Sequence, residues 1–99
     1  MHPTFTFDAV LYLWKDDGSW VFVDVPVDVS EEVEDIVPER KGFGSVPVEV
    51  AIGTTVWRTS VFPDSKRGCF VLPVKRAVRK AEQVDVGDQV DVDLTIRID

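Results

Sequence analysis

The stretch that decides the fold is TFTFDAVLYLW, residues 4–14. Phe5, Phe7, Ala9, Leu11 and Leu13 fall on one side of an extended chain. Thr4, Thr6, Asp8, Val10 and Tyr12 fall on the other. Side chains alternate across a strand, so a period of two reads as a strand with one buried and one wet face. The same period closes the chain, where Val90, Val92, Leu94, Ile96 and Ile98 alternate with Asp91, Asp93, Thr95 and Arg97.

Between these ends the pattern changes several times. Asp17 and Gly18 form a hairpin signal, because glycine tolerates positive φ, and WVFVDVPV at 20–27 reads as the returning strand, limited by Pro26. Val29, Val33, Ile36 and Val37 then fall at i, i+4, i+7 and i+8, a helical stripe that Pro38 stops. Asp28 and Glu31 have capping-box spacing at its start. Two strands, 46–52 and 55–62, meet at a tight turn around Gly53, and CFVLPV makes a short strand. Val74, Ala77, Val78 and Ala81 give a second helical stripe, with Lys75, Arg76, Arg79 and Lys80 between them. The pattern predicts a mainly β fold over a single domain, 1–99. Its architecture is a small closed or nearly closed barrel of about six strands with two short helices, since closure removes exposed edges.

Composition narrows the function. The 99 residues are 44% hydrophobic and 29% charged, enough apolar material for one core. The net charge of −7 is uneven: residues 1–42 hold ten acids and three bases, residues 43–99 eight of each. Such acidity disfavours non-specific binding to nucleic acid or anionic lipid. The single cysteine, Cys69, excludes an internal disulfide. No basic segment leads into an apolar run at the N-terminus, and no apolar run is long enough for a membrane helix. A soluble, cytoplasmic protein is expected.

Four ordered motifs carry a family resemblance. They are G-x-G-x-V-x-V at 42–48, W-x-T-S-x-F-P at 57–63, L-P-V-K-x-x-V-R at 72–79 and G-D-x-V-x-V at 87–92. With WVFVDVP at 20–26, they resemble the bacterial and archaeal domain-of-unknown-function 1905 family over nearly the whole chain. The resemblance implies a double-split β-barrel, the architecture of AbrB- and MazE-like proteins, and no established activity.

Residues suited to chemistry are few. A nucleophilic triad would rest on His2, the only histidine, beside the terminus where groups are poorly positioned. Cys69 reads as a small buried residue ahead of a nucleophile. One His and one Cys exclude a standard zinc set, and the carboxylates at 85, 88, 91 and 93 read as solvated charges rather than ligands for a hard cation. GFGS at 42–45 opens a strand, so it lacks the helix amides of a phosphate loop. Neither metal nor cofactor is expected, and no enzyme activity.

Two binding readings remain. Trp57, Arg58, Thr59 and Ser60 place an aromatic, a cation and two hydroxyls on one strand. With Lys75 and Arg79 they are the candidate small-ligand residues, an arginine fork being suited to a carboxylate or phosphate. In the plainer alternative Trp57 is core, Arg58 faces water, and Arg79 clasps Asp88 or Asp91. The runner-up is AbrB-like nucleic-acid binding by the basic helix 74–81, through Lys75, Arg76, Arg79 and Lys80. The expectation is therefore a non-enzymatic module for a small molecule or a protein, monomeric or homodimeric, with nucleic acid second.

Overall fold

A computed structural model describes residues 3–14, 20–38 and 44–97. The strands are β1 (Thr4–Val10), β2 (Tyr12–Leu13), β3 (Val21–Asp24), β4 (Val46–Ile52), β5 (Thr55–Asp64), β6 (Cys69–Pro73) and β7 (Gln89–Ile96). Helix α1 (Val27–Ile36) follows β3, and helix α2 (Arg76–Glu82) follows β6. All ladders are antiparallel, in the order β1-β7-β4-β5-β6-β3-β2. The Asp17 and Gly18 turn, Gly42 and Phe43 of the glycine loop, His2 and Ile98 lie outside the described residues.

The sheet is mainly β as expected, but it is open. Among the described residues its seven strands curl into a half-barrel, with β1 paired only to β7 and β2 only to β3. The expected single strand over residues 4–14 is two strands on opposite edges, and Leu11 is the corner between them. Its N–H donates to the Asp88 carbonyl at 2.9 Å, and its own carbonyl accepts from Gly87 N–H at 2.9 Å. Rotation at that corner breaks the alternation, so Leu11 is buried and Leu13 is exposed. A two-residue strand at the far edge offers too short a ladder to close the curl.

The core lies inside the curl. Val48, Val50, Leu94 and Ile96 are each 0% exposed, packed against Leu72 and Val23. The β4–β7 register sets Val50 opposite Leu94 and Val48 opposite Ile96, so two alternating strands supply one apolar face. Strands β3 and β6 differ: Val21, Phe22 and Val23, and residues 69–72, are buried on both faces. α1 packs against β6.

Local chemistry explains both helices, and both depart from the simplest reading. The expected capping box at Asp28 and Glu31 does not form; α1 begins after Pro26, with no side-chain cap. Proline is suited to a helix start because its φ is preset and no amide is lost. Ser30, 4% exposed, instead ties α1 down from inside: its Oγ donates to the Val25 carbonyl at 3.1 Å and accepts from Phe70 N–H at 3.0 Å. In α2 the expected apolar stripe is narrower than its spacing implies. Val78 is buried, but Ala77 and Ala81 face solvent, and Val74 precedes the helix. A helix this short touches the sheet along one line of side chains, and its last turn is held by Glu82, which accepts from the Thr55 hydroxyl. Gly53 makes this possible. It sits at φ +59, and a Cβ there would collide with the Glu82 carboxylate.

Candidate functional site

The site follows from a split in the ladder. β5 pairs with β4 from Thr55 to Val61, then with β6 through Phe62, Pro63 and Asp64. Past Val71 the β5–β6 pairing lapses. Pro63 and Pro73 lack N–H groups, so this ladder is short of donors where it opens. The chain after Pro73 turns away, with Val74 N–H donating to the Val21 carbonyl at 2.9 Å, and α2 lines the gap together with β5.

A concave cleft of ≈ 830 Å³ occupies that gap. Its apolar wall comes from Val21, Trp57, Pro73 and Val74. Its charged rim comes from Arg58 on β5, from Arg76 and Arg79 on α2, and from Lys75 just before it. Thr59 adds a hydroxyl, and Trp20 stands at the start of β3. Among the described residues the one acid in the lining is Asp85, so four cations line the cleft with one carboxylate in a chain whose net charge is −7.

The cations are not equivalent. Arg79 is the most fixed. Its Nε donates to the Val74 carbonyl at 3.1 Å, its Nη1 lies 3.6 Å from Asp85 Oδ1, and its side chain is 18% exposed. The expected partner, Asp88 or Asp91, is therefore replaced by Asp85. The reason is the turn before β7: Asp88 accepts from Asp85 N–H at 2.8 Å, and Asp91 lies on the outward face of β7. Arg58 is 3.6 Å from Glu49 across the β4–β5 ladder, and both side chains are well exposed. Lys75 and Arg76 are exposed and make no ion pair among the described residues.

Of the ligand candidates, Trp57, Arg58, Thr59, Lys75 and Arg79 converge on this cleft. Ser60 does not line it; it sits opposite Pro47, on the face of β5 that Arg58 also uses. Trp57 is also core, 8% exposed, so the plainer reading of that residue holds together with its place in the wall. Of the nucleic-acid candidates, Lys75, Arg76 and Arg79 line the cleft and Lys80 lies outside it, exposed. Trp20 was not singled out by sequence reasoning. It falls 37 residues before Trp57 in the chain, and only the β3–β6 pairing next to the split joins the two.

A second cluster uses its charges differently. Arg67, in the β5–β6 turn, reaches Asp24 in a bidentate pair, Nε to Oδ1 at 2.7 Å and Nη2 to Oδ2 at 2.9 Å. Its guanidinium lies 4.0 Å from the Tyr12 ring centroid, and the Tyr12 hydroxyl donates to Asp24 Oδ1 at 2.8 Å. Burial alone would raise the Asp24 carboxyl; the bonds from Arg67 and Tyr12 outweigh it and hold the group below its ordinary range. Burial, and then the bond to Asp24, push the Tyr12 phenol up. Cys69 is buried nearby, and burial pushes its thiol up, which disfavours the nucleophilic thiolate. Among the described residues, no group of three or more His, Cys, Asp or Glu side chains is placed to hold a metal ion, and no helix is long and apolar enough to cross a membrane.

No curated protein matches the chain. The family model described as Domain of unknown function (DUF1905) matches residues 7–94, most of the chain, and the protein belongs to that family.

Proposed function

We propose that this member of the DUF1905 family is a binding protein for a small organic anion, held in the cleft between β5 and α2. The observation that carries the reading is the convergence of four cations on a concavity with an apolar wall, against the acidity of the rest of the chain. A volume of ≈ 830 Å³ lies within the range of small-molecule sites, about 300–1,000 Å³. Arg79 is pre-oriented by Val74 and Asp85, so little side-chain freedom is lost when it meets a ligand. The cleft is equipped for charge and packing, which supports binding rather than catalysis. A double-split barrel architecture fits the lapse between β5 and β6, and a cytoplasmic setting fits a metabolite-sized anion.

The test is thermal. A panel of organic carboxylates, sulfonates and phosphates is scanned for an increase in melting temperature, since ligand at a hundredfold excess over Kd stabilises the native state by about 2.7 kcal/mol. At least one anion is expected to raise the transition, and the Lys75→Ala, Arg76→Ala double variant is expected to lose that rise. A flat panel, or a rise unaffected in the double variant, refutes the cleft as the site.

A further inference from the structure

The cleft's lining says more about its ligand than its sign. Arg58, Lys75, Arg76 and Arg79 line it, with Asp85 beside Arg79 and Glu49 beside Arg58, so among the described residues Lys75 and Arg76 keep their charge without an ion pair. A monocarboxylate would answer one of those two charges and leave the other unanswered. A phosphate monoester carries close to two negative charges near neutral pH and three acceptor oxygens, and guanidinium forks match its geometry.

The apolar side of the cleft is equally specific. Trp57 is fixed in the core, and Pro73 and Val74 extend its surface. Trp20, 53% exposed, stacks on Phe22 with ring centroids 6.1 Å apart and an interplanar angle of 25°. One indole face is thus spent on Phe22, which orients the ring while the rest of it stands open at the cleft. Flat indoles beside cations hold flat rings, through stacking and apolar burial, without needing a particular pattern of hydrogen-bond donors. An inorganic anion would use the rim and leave this wall wet. An aliphatic dianion would use the charge and gain little from the indoles.

We infer that the cleft takes a phosphomonoester bearing a planar aromatic ring, the class to which nucleoside monophosphates belong, with phosphate on the Lys75, Arg76 and Arg79 rim and the ring toward Trp20 and Trp57. The inference rests on the anion-binding reading above and narrows it. A nucleotide within a single-stranded nucleic acid shares this chemistry; the cleft favours the free molecule, because Lys80 lies outside the lining and the concavity is of small-molecule size.

The full chain is titrated with inorganic phosphate, phenyl phosphate, adenosine 5′-monophosphate, adenosine, succinate and an oligothymidylate series, read by tryptophan fluorescence and calorimetry. Phenyl phosphate and adenosine 5′-monophosphate, the two ring-bearing phosphomonoesters, are expected to bind about tenfold or more tighter than phosphate, adenosine or succinate, from one stacked ring and one charge-assisted contact. Trp20→Ala is expected to weaken the two ring-bearing phosphomonoesters about tenfold and to leave phosphate binding unchanged. Lys75→Ala with Arg76→Ala should weaken both. Succinate binding as tightly as phenyl phosphate overturns the ligand class while the anion site stands. Affinity that grows with oligonucleotide length and falls in Lys80→Ala overturns it in favour of a nucleic-acid surface. Binding of none of the anions overturns both readings together.

Discussion

The two helices are of similar kind and opposite use. Both are short, amphipathic and strongly charged. α1 is acidic, with Asp28, Glu31, Glu32, Glu34 and Asp35 all exposed, and it lies over β6 with Val33 and Ser30 buried beneath it. α2 is basic, and within it only Val78 is buried. The acids of α1 face solvent, where charge keeps the helix wet. Arg76 and Arg79 of α2 line a cleft shared with Arg58, Trp57 and Trp20. Having a charged face does not by itself set a helix apart for binding; the concavity beside the charges of α2 does.

The most severe way to break the comparison is to put a charge beneath each helix. Val33→Asp should cost roughly 3–5 kcal/mol, because an uncompensated carboxylate is buried where α1 covers β6. Denaturant unfolding should show one cooperative transition at a much lower midpoint. Val78→Asp should act more locally, raising amide exchange over residues 75–84 while the β4–β7 amides stay protected. Equal global losses for the two would contradict the different docking described here.

Ser30→Ala comes next. It removes the buried hydroxyl that accepts from Phe70 N–H and donates to the Val25 carbonyl, for a loss of about 1–3 kcal/mol in chemical denaturation. Ser30→Thr, which keeps the hydroxyl, tests whether the bond rather than the volume matters.

A smaller effect depends on pH. The folded Asp24 carboxyl titrates below its ordinary value, so its contribution is present above that value and is lost as pH falls through the lowered folded one. Asp24 and Arg67 are both more than a third exposed, so screening limits the contribution to about 1 kcal/mol. Arg67→Ala should be less stable than the parent near neutral pH, and the gap should narrow in acid. A constant gap across that range would show that the pair does not carry the difference.

The smallest expected effect is the one that separates structure from function. Lys75→Ala and Arg76→Ala should each change stability by no more than about 0.5 kcal/mol, since neither is ion-paired among the described residues. A larger loss would place these cations in the scaffold with Arg67 rather than at the disposal of a ligand.

Much of this molecule was legible from its sequence. Strict alternation in residues 46–52 and 90–96 named strands whose inward positions are buried, because burial of one face of a strand leaves a period of two. Helical spacing placed both helices near their observed ends, and motif order placed the chain in its family. The candidate ligand residues, chosen for type and proximity in the chain, mostly share one cleft, yet nothing in their spacing showed that β5 and β6 separate there.

The tertiary structure decided the rest. Whether Leu11 continues a strand or turns a corner depends on Asp88 and Gly87, far along the chain. Whether Ala77 and Ala81 are core depends on how much sheet a two-turn helix meets. Whether an arginine is a staple or an open fork depends on what stands within 4 Å: Arg67 finds Asp24 and Tyr12, Arg79 finds Asp85 and a cleft. Local sequence determines backbone period and side-chain chemistry, because those are properties of neighbours in the chain. Partners and concavities arise between segments distant in sequence, and only the folded arrangement of β3, β5, β6 and α2 brought them together.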